Sequence, residues 1–344
     1  MKSPSLFPLL FLSLVIAAST CAAAQTYTMT DLGTISGMDY SVGRGINATA
    51  QTTGASGKNN SYIAHVFVNT AGTFGDLGTL GGETGVGNGI NASGQVAGYS
   101  TNASGTYRAF ISSGDSLIDI GDLGGGSAVA YAINDAGQVV GSAATADGSN
   151  HPFLYSNGQM IDLGTLGSPE GGQWWNSAEG INNSGVVTGY GYTSQGGLSG
   201  FIWSNGKMTP LGSLGGNWTE AYAINNKGQV TGISANKAGN NHAYITDASG
   251  KLKDLGSIGG KFGTTWGFGI NDAGVVVGQG TTAQNGYHAF VYNGKKIQDL
   301  NKLVVPKNSE WVLIEGRGVN NAGQIVCTGM RSDGTEHAFL LTPR

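Results

Sequence analysis

Cysteine is almost missing from this sequence: its 344 residues contain two, Cys21 and Cys327. That excludes a disulfide-stapled fold and any thiolate-rich zinc site. Charged residues make up 11% of the chain, the formal balance is −4, and no basic stripe occurs. A nucleic-acid partner is excluded on that ground, because phosphate binding depends on clustered lysines and arginines. Long apolar runs are missing too. The one candidate, LFPLLFLSLVIAA at 6–18, is too short to span a membrane. Lys2 precedes it and Ala22-Ala23-Ala24 follow it, the layout of a cleavable export signal over residues 1–24. The mature chain is expected to begin at Gln25, secreted or periplasmic, without a membrane span and with Cys327 as its one thiol. Phosphate loops, calcium loops and spaced metal-ligand sets are also lacking, so no cofactor and no metal is expected.

Glycine, in contrast, is plentiful at 61 residues, and it is regularly placed. The phrase AYAINDAGQVVG at 130–141 recurs around Asn47, Asn91, Asn134, Asn182, Asn225, Asn271 and Asn320, at intervals of 44, 43, 48, 43, 46 and 49 residues. Fixed periods of this size are the mark of a repeat architecture. Unit three contains four alternating, β-rich runs, AVAYAIN, GQVVGSA, HPFLYS and QMIDLG. They read as strands A to D of an antiparallel meander. Asn-x-x-Gly between A and B, and Asn-Gly between C and D, are hairpin turn chemistry. One such meander of roughly 45 residues is the size of a propeller blade.

Strand C carries an aromatic in each of seven units: Phe67, Phe110, Phe153, Phe201, Tyr244, Phe290 and Phe339. The strand-D signature falls near Asp31, Asp76, Asp119, Asp162, Pro210, Asp254 and Asp299. The first D precedes the first A, and the chain ends on a strand C. Residues 27–33 are thus expected to supply the missing outer strand of the last unit. The expected fold is all-β: one seven-bladed β-propeller over 25–344, built of four-stranded antiparallel blades and closed by the N-terminal strand.

With HPF, HAY, HAF and HAF at 151, 242, 288 and 337, and with DLGTLGG at 76–82, the chain resembles the bacterial extracellular HAF-repeat family over essentially all of 25–344. Arg108 and Ser199 stand where the family phrase has His, and Pro210 stands where it has Asp. The resemblance implies an exported repeat protein and brings no catalytic residues with it.

Five histidines share one strand-C slot, which spreads them around the ring; they read as parts of the blade, as do the seven asparagines. Small residues lie two and four positions before each Asn, so one face of strand A is nearly bare and A is expected innermost. The position three before each Asn varies: Arg44, Asn88, Tyr131, Glu179, Tyr222, Phe268, Arg317. These residues are expected to ring the channel mouth. The long D–A and B–C connections share one face, and Trp174, Trp175, Trp218, Trp266 and Trp311 fall in D–A connections, with Tyr40 and Phe262 beside them. Large aromatics on such loops either stack on sugar rings or fill gaps between blades. The expected ligand-binding set is Tyr40, Arg44, Trp174, Trp175, Trp218, Tyr222, Trp266, Trp311 and Arg317, and the expected partner is an extracellular glycan or cell-surface ligand. Glu179 and Glu220 are the candidate acid and base of an alternative, a polysaccharide hydrolase or lyase. Glu315 has a simpler use as the ion-pair partner of Arg317. A protein-docking ring is the third reading.

Overall fold

The computed structural model describes residues 25–59, 61–167, 175–260, 262–307 and 310–344. The expected export signal lies outside the described residues. Apart from a single 3-10 turn at Leu300–Lys302, every regular element among the described residues is a β-strand. No helix there is long and apolar enough to cross a membrane.

Unit three shows the local plan. Strands Gly124–Ile133, Val139–Thr145, Asn150–Ser156 and Gln159–Asp162 each pair antiparallel with the next. The same meander recurs along the chain and produces six sheets, five of four strands and one of eight. The eight-stranded sheet consists of two meanders, over 40–78 and 81–119, joined through a parallel bridge between Ala64 and Thr84. The first strand, Tyr27–Gly33, stands apart from the meander that follows it. It pairs antiparallel with the last strand, Glu336–Pro343, running from Tyr27 opposite Pro343 to Gly33 opposite Ala338.

Each A–B hairpin is built by its Asn. In unit three the Asn134 carboxamide oxygen accepts the backbone N–H groups of Ala136 and Gln138, and Gly137 takes a φ of 75°. Glycine holds that turn position in the other units except the first, where Ala50 adopts φ 63°. The Asn amide nitrogen donates outward, to the backbone carbonyl of the next unit's Asn. These bonds run from Asn47 to Asn91, Asn134, Asn182, Asn225, Asn271 and Asn320, and from Asn320 back to Asn47, at 2.9–3.2 Å. The cycle is closed.

The apolar core lies between successive meanders. Val66 of the first meets Phe110 of the second, Ala97 and Ala109 of the second meet Phe153 of the third, and Ala338 of the last meets Phe67 of the first. All seven strand-C aromatics are buried. Close packing explains the glycine opposite them: a Cβ on Gly141 would lie 2.0 Å from the Val129 carbonyl oxygen. Cys327 fills the equivalent place in the last unit, opposite Phe339, and is a buried free thiol.

The histidine slot has a partner that sequence reading did not supply. Nδ1 of His65, His151, His242, His288 and His337 lies 2.8–2.9 Å from the carboxylate of Asp76, Asp162, Asp254, Asp299 and Asp31 on the adjacent strand. Those carboxylates also accept backbone N–H groups two residues on, for example Gly164 onto Asp162 at 2.7 Å. Arg108 substitutes for His by bonding Asp119 and Asp122. In unit four, Ser199 and Pro210 remove both partners together.

Candidate functional site

The innermost strands are Tyr40–Ile46, Gly81–Ile90, Gly124–Ile133, Ser177–Ile181, Gly215–Ile224, Thr265–Ile270 and Val312–Val319. They crowd one another, as the bare strand face requires. A Cβ on Gly45 would sit 3.2 Å from the Gly89 Cα, and one on Gly269 3.2 Å from the Gly318 Cα. Each inner strand also carries a β-bulge at the variable slot. The ladder pairs Gly43 with Gly54 and Gly45 with Thr53, so Arg44 is the extra residue. The same slip leaves out Asn88, Tyr131, Glu179, Tyr222, Phe268 and Arg317. A bulge re-aims the side chain it carries.

All seven slot residues line one cavity of about 550 Å³, together with Tyr99, Tyr107 and Val129. Tyr99 and Tyr107 were not foreseen. Their rings meet edge to face at 5.6 Å. A signal for Tyr99 did exist: the position after the strand-B glycine also varies, reading Ala55, Tyr99, Ser142, Tyr190, Ile233, Gln279 and Thr328.

The charges in the cavity are unequal. Arg317 donates to the Glu315 carboxylate at 2.6 Å and lies over the Phe268 ring at 4.1 Å. Arg44 has no hydrogen-bond or ion-pair partner among the described residues, and its Nε is buried. Burial, with the like charge of Arg317, pushes the Arg44 pKa down; a guanidinium nonetheless stays charged in proteins. Burial drives Glu179 up to about 7. Burial likewise raises Tyr131, Tyr190 and Tyr222, which remain protonated donors. Glu220, also raised by burial, accepts a hydrogen bond from the Tyr222 hydroxyl and does not line the cavity.

The expected aromatics are dispersed. Trp174 lies outside the described residues. Trp175 is exposed and lines a smaller pocket that shares Tyr107, Val129 and Tyr131 with the axial cavity. Trp218 and Trp266 sit within inner strands, not on connections, because those strands extend further toward that face than the alternation suggested. Trp266 packs against Tyr287 at 6.3 Å. Tyr40, at the start of its strand, is outside the cavity lining. Trp311, expected among the ligand-binding rings, is buried instead. It is 6% exposed and packs against His337 and Phe339, with Arg331 over its face, because its apolar ring drops into the gap between the last two sheets. Among the described residues, no group of three or more His, Cys, Asp or Glu side chains could hold a metal ion.

No family model matches the sequence, and no curated protein is similar to it. Solved structures do resemble it. A puromycin-hydrolysing peptidase from Mycobacterium tuberculosis matches with TM-score 0.57 at 11% identity, over 88% of this chain and 50% of that one. The acylaminoacyl peptidase of Pyrococcus horikoshii matches with TM-score 0.52 at 12% identity, over 91% and 53%. TolB from Acinetobacter baumannii gives 0.45 at 14% identity, over 73% and 65%. This chain spans about half the length of either peptidase. At such identities the likeness is one of fold; the four-stranded meanders closed by the Asn cycle are the architecture of a β-propeller.

Proposed function

We propose that the chain is an exported seven-bladed β-propeller of the HAF-repeat type, closed by its N-terminal strand, that binds an extracellular glycan at the axial cavity. Support for seven blades comes from the seven repeats, the seven bulged inner strands and the unbroken seven-member Asn cycle. On this reading the eight-stranded sheet is two blades touching at one bridge.

One observation carries the binding reading: the variable slot residues of all seven inner strands line one cavity. Positions that serve the blade are nearly constant, so a slot running through Arg, Asn, Tyr, Glu, Tyr, Phe and Arg answers to something other than folding. Its size suits a small-molecule site, and unpartnered Arg44 favours a sugar carboxylate, which a guanidinium fork bonds well. A hydrolase needs two carboxylates facing the substrate. Glu179 faces the cavity, whereas Glu220 is turned to Tyr222.

A glycan array followed by calorimetry tests this. Acidic oligosaccharides should bind better than neutral ones. Arg44→Ala should weaken the acidic ligands about tenfold or more, equivalent to about 1.4 kcal/mol, and leave neutral ones nearly unchanged. Equal losses for both classes would remove charge recognition, and no binding by any sugar would remove the glycan reading. Product analysis of the same incubations checks for hydrolysis.

A further inference from the structure

The axial cavity is polarised across its width. Following the Asn cycle, units one and seven are neighbours, and they place Arg44 and Arg317 on one side. Unit four, half a cycle away, places Glu179 on the other, between Tyr131 of unit three and Tyr222 of unit five. Arg317 is answered by Glu315. Neither Arg44 nor Glu179 makes an ion pair among the described residues, and the two stand on opposite walls. Charges withdrawn from water and left unpaired are costly. A ligand bearing both signs would relieve both.

We propose that the axial cavity takes a zwitterion, with an anionic group seated on Arg44 and an ammonium group on Glu179 between the rings of Tyr131 and Tyr222. Aromatic faces attract cations, which suits the acidic wall to an ammonium and not merely to a hydroxyl donor. The inference rests on the axial cavity being the ligand site. It narrows the ligand to one whose recognised group carries both charges, either a free small molecule or a substituted sugar.

Calorimetry on the folded mature chain at pH 8 would compare γ-butyrobetaine, butyrate and butyltrimethylammonium: both charges, the anion alone and the cation alone. γ-Butyrobetaine should bind at least tenfold more tightly than either of the others. Glu179→Gln should reduce it to the level of butyrate while leaving butyrate unchanged or tighter. Arg44→Met should reduce it to the level of the cation. At pH 5 the advantage should disappear as Glu179 becomes neutral. Of the other groups facing that carboxyl, Tyr131, Tyr190 and Tyr222 stay protonated across this range, whereas burial also raises Glu220, so the loss at pH 5 is assigned to Glu179 only if Glu179→Gln shows no such pH dependence. Butyrate binding as tightly as γ-butyrobetaine, or an advantage that survives Glu179→Gln, would overturn the zwitterion.

Glucuronate and 2-amino-2-deoxyglucuronate form the sugar arm. Tighter binding of the amino sugar than of γ-butyrobetaine points to a glycan source, and the reverse to a free solute. If glucuronate binds and no zwitterion exceeds it, this inference fails while the acidic-glycan reading stands. If none of these ligands binds, this inference fails, and the glycan array alone decides the other reading.

Discussion

Burial holds the Glu179 carboxyl near 7, well above its ordinary value of 4.5, so the native chain grips that proton more tightly than the unfolded chain does. The sign follows from linkage. The neutral carboxyl contributes its full stability below about 4.5, and that contribution is lost as pH rises toward 7. Glu179→Gln cannot ionise. It should leave the melting temperature unchanged at pH 5 and raise it at pH 8, by the equivalent of about 1–3 kcal/mol. Equal melting temperatures at pH 8 would place the carboxyl in contact with bulk water. The slot itself was legible as a variable position in a constant repeat. That each slot residue is a bulge was not, because a bulge is a mismatch between two strands and no single strand records it.

Strands C and D divide their work between an aromatic that fills the space between sheets and a His–Asp pair at the rim. Phe153 is fully buried, so Phe153→Ala should cost about 3–5 kcal/mol in chemical denaturation. His151 and Asp162 are partly exposed, and pairs of that kind are worth about 1 kcal/mol or less. His151→Ala should therefore cost little and leave ligand binding intact; loss of binding in a folded variant would move the histidine from blade to site. The pairing was half visible beforehand. His, Arg and Ser occupy one slot and Asp and Pro another, and Ser199 and Pro210 fall in the same unit, yet only the structure shows that the two slots meet as a pair.

At the scale of the molecule, the pairing of Tyr27–Gly33 with Glu336–Pro343 joins the two ends of the chain. Removing residues 25–33 would leave Glu336–Pro343 as a bare edge beside the apolar surface around Phe339, and exposed edges recruit other chains. A chain beginning at Thr34 should melt at a markedly lower temperature and form oligomers in size-exclusion chromatography. An unchanged monomer would show that the closure contributes nothing to the fold.

The sequence by itself determined the repeat, the four strands of each unit, the buried aromatics, the small-residue face of the inner strand and the spare strand at the N-terminus. Each of these is written in residues close together, where alternation, turn chemistry and period act over a few positions. Tertiary structure decided the rest. It turned seven hairpin asparagines into a closed cycle of bonds between units, aimed seven bulged residues at one cavity with Tyr99 and Tyr107, and committed Arg317 to Glu315 while leaving Arg44 without a partner. It also buried Trp311, which the sequence alone could place only on a connection. Those outcomes depend on which strands lie side by side, and strands that meet here are separated by 43 to 49 residues or by nearly the whole chain.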